Sequence, residues 1–499
     1  MEWFFLISIL IFSGFIRFTP HLIAPHGAGI DHWYWKSYIE EYRKNRRFPP
    51  LLPQFLLELH QWYPPLFPLI MAKLPKSIFD RNSHIIAIGI DLVRLIILMI
   101  AAYLVGGKLN SLIGAGMVYA LTPILVSYNV QLNPRGLAAL FLDMIVLLLV
   151  WLLWHDGMPW CWALVTFLSG LVLLTHKMTT QLFWFLSITS GLWFQDWRLL
   201  MLVPLSIFSA LILSKGFYLN VLKHHWDIVT FWNRNWRWLS SHPVLESPIY
   251  GNSNYETPTK YFFSGWKGFF RQIGYLIGFN PWGWVVFLAS LWMYGSDPMH
   301  TNLTNEDGWM VQWLGLILAF MFMVTFIPFM RCLGQGYLYN YNVAFPVGLL
   351  VAMIWGGLKH DIVVEYLLFG TSLVCFSSIC FYLWKLKRSK TQKIDSVMDN
   401  VLNHLKDLPN SAVMCFPFHW NEVVAYKTKK PVLWGGHGYG FKLLEPVWPR
   451  ILEPISEIVK KYQIKYLLTY EGYLPENFLA ELRVRSLVSF GTYRLYTLE

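Results

Sequence analysis

Charged side chains are scarce in this 499-residue chain, at 14% of the total, where soluble globular domains carry roughly 25%. The deficit falls in apolar runs close to bilayer length, because ~20 helical residues rising ~1.5 Å each cover a ~30 Å hydrocarbon core. A wholly soluble molecule is excluded. Cysteine is also sparse. The five residues, Cys161, Cys332, Cys375, Cys380 and Cys415, lie mostly in or near apolar runs without C-x-x-C spacing, which argues against a disulfide framework and a zinc site. The first apolar run, residues 3–16, lacks the basic start and small-residue cleavage site of a secretory signal, so it reads as a retained helix. There is no internal repeat and no low-complexity tract. The stretch GGHGYG (435–440) follows a strand but opens no helix, so it reads as a turn rather than a nucleotide fingerprint.

What is present is a polytopic α-helical membrane bundle. Eleven spans are predicted, near 3–19, 84–106, 111–127, 137–154, 160–175, 181–195, 199–213, 281–295, 309–329, 343–357 and 362–384. Residues 1–384 form the membrane domain, with long segments at 20–83 and 214–280. Residues 385–499 form a small C-terminal soluble α/β domain. Its strand-like stretches are SAVMCFPF, KPVLWGG, IKYLLTY and TYRLYTL, with helices at NEVVAYKT and near PRILEPISEIVKKYQ. Net charge is +11, which in a membrane chain points to anionic lipid or a phosphate-bearing substrate before nucleic acid.

Alternating crossings sort the connections onto two faces. One face receives 20–83, YNVQLNPRG, THKMTT, 214–280, RCLGQGYLYNYN and the tail; the other receives only short connections. Nearly every residue with chemical potential therefore shares a face, as expected if those loops roof a single site. Loop Lys and Arg number 18 on the rich face and 3 on the poor one. Of the 18, however, 15 lie in two segments longer than sixty residues, where the positive-inside rule is weak. Charge leaves the orientation open.

Asp31 opens the stretch DHWYWKSYIEEYRKN. A carboxylate here suits proton acceptance from an attacking group or, equally, an N-cap. The helix that follows is predicted to lie in the membrane interface, its aromatics holding depth and Lys36, Arg43, Lys44, Arg46 and Arg47 attracting an anionic head group. A short helix is expected between the two Pro-Pro pairs of FPPLLPQFLLELHQWYPPLFPL, with Tyr63 seating it against the bundle mouth. Arg135 in Asn133-Pro134-Arg135, His176-Lys177, and Arg331 with Tyr337 and Tyr341 top three pairs of spans on the same face. Fixed cations of this kind serve a departing phosphate, or else snorkel to head groups. Asp91 and Arg94, three residues apart on one helix face, read as a mutually neutralising pair within a span. The segment KHHWDIVTFWNRNWRW reads as an interfacial or sugar-stacking loop.

The arrangement resembles the GT-C superfamily of integral-membrane glycosyltransferases, on four features: an acid in the first long loop, interfacial helices in that loop, a YPPL element before the second span, and a soluble C-terminal domain. The resemblance implies a polyprenyl-phosphate-linked or polyprenyl-diphosphate-linked sugar donor and a glycan, lipid or protein acceptor. It makes Asp31 the catalytic carboxylate and Arg135, Lys177 and Arg331 ligands of the lipid phosphate. His176, Tyr337, Tyr341 and Tyr63 are expected substrate-binding neighbours. It also implies a multi-pass cell-membrane protein with the rich face and tail extracytoplasmic. Asp31 is followed by His32 rather than a second acid, and no WWDYG-like signature occurs, which disfavours an oligosaccharyltransferase. Some members use a divalent ion; with one strong loop carboxylate, no metal site and no other cofactor is expected. Two rivals stand beside this reading. A polysaccharide polymerase or ligase of the O-antigen type would depend on later-loop Arg and His. A transporter would show broken, repeat-related helices and midplane charges.

Overall fold

The computed structural model describes residues 2–25, 29, 31–57, 60–154, 157–238, 242–251, 257–296, 306–357, 362–389, 394–435 and 441–499. Helices fall on all eleven predicted segments. Five of them are long and apolar enough to cross a bilayer: Trp3–Ile23, Ile86–Gly106, Arg135–Trp154, Glu306–Phe326 and Glu365–Arg388. A sixth candidate span is a pair, Gly265–Gly278 and Pro281–Met293, bent by 84°. Leu109–Ala120, Cys161–Leu173, Trp197–Leu213 and Ala344–Met353 are apolar but shorter. The expected span at 111–127 is broken. Pro123 starts a separate helix, Pro123–Tyr128, and the Ile124 N–H turns outward to the Phe279 carbonyl at 2.9 Å, as a proline that cannot continue the ladder requires.

The bundle core is apolar and closely packed around the Ile86–Gly106, Leu109–Ala120 and Ala344–Gly357 helices. Within it lies a buried ionic network larger than the sequence reading supplied. Arg17 hydrogen-bonds Asp91, which also accepts from Tyr119 Oη at 2.7 Å. Arg94 binds Asp143 at 2.6 Å through Nε and lies 3.7 Å from Asp91. Asp91 and Arg94 are thus not a self-contained pair. Arg17 and Asp143 complete two cations and two anions of zero net charge.

The first long loop differs most from expectation. Its helix, Asp31–Asn45, is not an interfacial anchor: Trp33, Tyr34, Trp35, Tyr38 and Ile39 are buried in a core shared with Val401, Leu402, Val413, Trp420 and Tyr493 of the C-terminal region. Arg43 is taken by the carbonyls of Met71, Ala72 and Leu74 and stacks on Phe79. Lys44, Arg46 and Arg47 face outward. Among the described residues between the Pro-Pro pairs no helix forms, because Pro49, Pro50 and Pro53 interrupt the N–H ladder. The chain instead turns at Pro53 and Gln54 and bridges to Val432, exchanging Leu56 N–H to Val432 O at 3.0 Å and Val432 N–H to Gln54 O at 2.8 Å. The YPPL element leads instead into a later helix, Leu66–Lys73, whose Leu66 N–H reaches the Leu174 carbonyl at 2.8 Å.

The C-terminal region holds a four-stranded sheet of β1 (Ala412–Cys415), β2 (Ile464–Tyr470), β3 (Val484–Phe490) and β4 (Tyr493–Leu498), ordered β1-β2-β4-β3. The first pair is parallel and the others antiparallel. KPVLWGG supplies only isolated bridges at Val432, and VRSLVSF is a strand the sequence reading passed over. Of the predicted turn at 435–440, only Gly435 belongs to the described residues. KHHWDIVTFWNRNWRW is largely helical, within Tyr218–Asn235 and a 3-10 turn to Trp238.

Candidate active site

One cavity of about 1500 Å³ opens beneath the rich face. All five of that face's connecting segments contribute to its wall: Gly29, Asp31 and Tyr63; Tyr128 to Arg135; His176 and Lys177; Tyr261 to Phe279; and Arg331 to Leu338. None of the described residues from the opposite face lines it. Asp31, Arg135, Lys177, Arg331, His176, Tyr337 and Tyr63 therefore converge as expected. Tyr341 does not: it is buried behind the wall, donating to Asn129 Oδ1 at 2.7 Å with Arg94 lying 5.0 Å from its ring.

Local sequence explains how each side chain is held. The Tyr128–Arg135 turn is tied by Asn133, whose Nδ2 donates to the Tyr128 and Gln131 carbonyls at 2.9 and 3.0 Å and whose Oδ1 accepts the Arg135 N–H at 3.0 Å. Arg135 then lies over the Tyr128 ring at 4.7 Å and donates to the Leu338 carbonyl at 3.2 Å. His176 caps the Lys177–Trp193 helix through Nδ1, accepting from the Thr179 N–H at 3.3 Å. Its imidazole is a positioning group, and Lys177 follows at the first helical position. Pro328 ends the Glu306–Phe326 run and two 3-10 turns follow, Pro328–Leu333 and Gly336–Asn342. They present Arg331 between Trp236 and Phe263, 4.7 and 4.6 Å from the ring centres, with Nε on the Thr325 carbonyl at 2.8 Å.

Asp31 stands on the first turn of its helix, half-buried. Its backbone N–H donates to Gln131 Oε1 at 3.2 Å, and Gln131 Nε2 donates to Asp31 Oδ2 at 3.4 Å. The Tyr63 phenol lies near enough to feel Asp31, Arg135 and the Lys177 backbone; burial first, and the Asp31 charge second, push its pKa well up, so it remains a neutral hydroxyl. Burial lowers the pKa of the Arg331 guanidinium from its ordinary value. Two further polar groups were not foreseen: Arg271, on the cavity wall, lies 3.5 Å from the Tyr261 ring centre, and Gln181, which is not among the lining residues, joins Tyr339 Oη at 2.7 Å to His225 Nε2 at 2.8 Å. Burial holds His225 near pKa about 4, hence neutral. Its neighbour His224 stacks on Trp62 at 4.9 Å, so the two imidazoles do separate jobs.

Among the cavity-lining residues Asp31 is the one carboxylate, set against Arg135, Lys177, Arg271, Arg331 and Lys385. Among the described residues no three His, Cys, Asp or Glu side chains converge, and a single carboxylate among cations is a poor divalent-ion site. The remaining wall mixes uncharged polar groups such as Ser127, Gln131, Asn133 and Gln272 with apolar side chains. Leu373, Val374, Phe381 and Trp384 of the Ile362–Arg388 helix line the chamber and are also exposed, so one wall of the cavity is an exposed apolar helix face.

Gly29 adopts φ +85° beside this site, and a Cβ there would fall inside the Gln131 side chain. Gly29→Ala is therefore expected to displace Gln131 and Asp31 together. The predicted result is a loss of turnover of roughly ten- to hundredfold, as ångström-scale misplacement produces, with a thermal midpoint close to the parent's.

No protein-family model matches the chain, and no curated protein matches its sequence. Solved structures do match. ArnT from Cupriavidus metallidurans bound to undecaprenyl phosphate superimposes over 98% of this chain and 97% of its own, with TM-score 0.59 and 12% identity. The apo oligosaccharyltransferase of Archaeoglobus fulgidus matches 94% of this chain and 70% of its own, with TM-score 0.53 and 10% identity. The A. fulgidus oligosaccharyltransferase AglB in complex with an inhibitory peptide and a dolichol-phosphate matches 93% and 69%, with TM-score 0.51 and 11% identity. At such identities the likeness is one of fold alone: the chain shares the overall fold of these solved structures.

Proposed function

We propose, with the GT-C fold as premise, that this chain is a membrane glycosyltransferase moving a sugar from a polyprenyl-phosphate carrier to a glycan, lipid or protein acceptor. The observation that carries the reading is the convergence of Asp31, Arg135, Lys177 and Arg331 on one cavity bordered by an exposed apolar helix face. The carrier's tail would remain in hydrocarbon along Leu373, Val374 and Phe381 while its phosphate meets the cations. An acceptor nucleophile attacks the anomeric carbon and passes its proton to Asp31. The bond from that carbon to the phosphate oxygen breaks, and the electron pair departs on a phosphate neutralised by Arg135, Lys177 and Arg331. The same reading puts the chamber on the extracytoplasmic side of the cell membrane.

Binding of the carrier tests this directly. Arg135→Ala and Arg331→Ala are each expected to weaken affinity for undecaprenyl phosphate in detergent titrations by about 10- to 150-fold, since charge-assisted hydrogen bonds contribute roughly 1.5–3 kcal/mol. Unchanged affinity in both variants would remove the phosphate from this chamber. An O-antigen-type polymerase or ligase is the alternative if Arg331→Ala abolishes transfer while Asp31→Asn leaves it intact. A transporter is disfavoured, because the midplane charges Arg17, Asp91, Arg94 and Asp143 neutralise one another away from the cavity.

A further inference from the structure

We infer that Gln131 is a positioning residue for Asp31, holding its carboxylate in place at the chamber wall. This rests on the catalytic reading of Asp31 given above. Gln131 lies a hundred residues away in sequence, on the turn between the Pro123–Tyr128 and Arg135–Trp154 helices, and is itself 8% exposed.

The contact is reciprocal. Oε1 accepts the Asp31 backbone N–H, and Nε2 donates to the Asp31 side chain. A carboxamide does both at once, which neither a carboxylate nor an ammonium can do. Glutamate at 131 would still accept the N–H but would face Asp31 with a like charge. Leucine would fill the space and do neither.

Three surrounding features make this a fixed device rather than a chance contact. The neighbouring residues are joined as well, His32 Nδ1 accepting the Leu132 N–H at 3.3 Å, so the pair 31–32 is clamped to the pair 131–132. The turn bearing Gln131 is rigid, because Asn133 holds the Gln131 carbonyl and the Arg135 N–H together. Gly29 leaves room for the Gln131 side chain where any Cβ would collide with it. The same short turn thus carries the group that fixes the acid and, four residues on, a cation assigned to the leaving phosphate. The distance between base and leaving-group ligand is thereby set within one loop.

A donor to the charged form of a carboxylate favours that form. Losing it moves protonation of Asp31 to higher pH, whereas a merely structural role for Gln131 would leave that protonation where it is. The experiment follows the full-length protein in detergent by carbodiimide labelling of carboxyl groups across a pH series. The Asp31 peptide is quantified by mass spectrometry, with Asp31→Asn as the unlabelled control. Gln131→Leu is expected to raise the pH midpoint of Asp31 labelling by about one unit, and Gln131→Glu by more. Transfer from an undecaprenyl-phosphate-linked sugar is expected to fall roughly ten- to hundredfold in kcat with donor KM little changed. An unchanged labelling midpoint in folded Gln131→Leu overturns the inference. If that variant does not fold, the uncharged Gln131→Met decides by the same midpoint. Full transfer activity in Asp31→Asn would instead overturn the catalytic reading, and leaves the labelling result to be judged separately.

Discussion

Asp31→Asn is expected to lower the rate of sugar transfer by about 10²- to 10⁴-fold, the usual range for loss of a positioned general base. Carrier affinity should stay within a factor of two or so. The asparagine oxygen can still accept from Gln131 Nε2, and the backbone N–H that meets Gln131 Oε1 is untouched. The helix Asp31–Asn45 is anchored by Trp33, Tyr34, Trp35 and Tyr38 rather than by the carboxylate, so the thermal midpoint should not move. The measurement is release of labelled sugar from its polyprenyl carrier by protein reconstituted in liposomes, beside a titration with the undecaprenyl phosphate alone. A variant as active as the parent would leave Asp31 with only its helix-start role. A variant that lost both transfer and carrier binding would instead mark Asp31 as part of the binding wall.

The contrast between Asp31 and Arg43 shows what the sequence could and could not convey. Both belong to one polar, aromatic stretch, and composition treats them alike. Asp31 enters the cavity because it opens the helix nearest the bundle mouth, while Arg43, three turns on, is consumed by three backbone carbonyls. Spacing along a helix predicts which face a residue shares, but not what packs against that face. The same limit accounts for the aromatics. Trp33 to Tyr38 look like an interfacial belt because the segment is amphipathic; their actual cover is Phe55, Tyr63 and Phe67 of the same loop together with the C-terminal region, more than 350 residues later in the chain. The Pro-Pro pairs suggest a short helix held between them, yet the described part of that peptide pairs with Val432, a partner no local pattern could name. By contrast, the grouping of Asp31, Arg135, Lys177 and Arg331 was legible. Alternating spans send connections to alternate faces, and that rule needs only hydropathy.

Gln131 illustrates a different kind of silence. A glutamine in a polar loop carries no charge, no metal preference and no motif, so nothing in the sequence separates it from its neighbours. Only the adjacency of residues 31–32 and 131–132 gives it meaning. Arg17 and Asp143 were hidden for a related reason. Each stands alone in its own apolar run, with its partner on another helix, 74 residues away for Arg17 and 49 for Asp143. A search for opposite charges three or four positions apart finds Asp91 and Arg94 and stops there.

That four-membered network carries the largest expected effect on stability. Arg94→Met removes the 2.6 Å partner of Asp143 and the second cation near Asp91. Asp91 keeps Arg17 and the Tyr119 hydroxyl; Asp143 is left charged in the bundle interior. Breaking a buried pair by deleting one partner typically costs about 3–5 kcal/mol, enough to abolish folded protein or to lower the thermal midpoint in detergent by many degrees. Removing both charges should reverse the loss, because Arg94→Met with Asp143→Leu leaves no unpaired ion, and replacing a buried pair by apolar groups is often neutral or stabilising. Activity then separates two roles. Arg94 lies under the Tyr341 ring, and Tyr341 Oη holds Asn129 on the turn that bears Gln131 and Arg135. If the double variant is stable and fully active, the network serves cohesion of the bundle alone. If it is stable but slow, with carrier affinity reduced alongside turnover, the ions also set the position of that turn. A single Arg94→Met variant as stable as the parent would mean that the Arg94–Asp143 pair contributes no net stability, and the cohesive role of the network would fall.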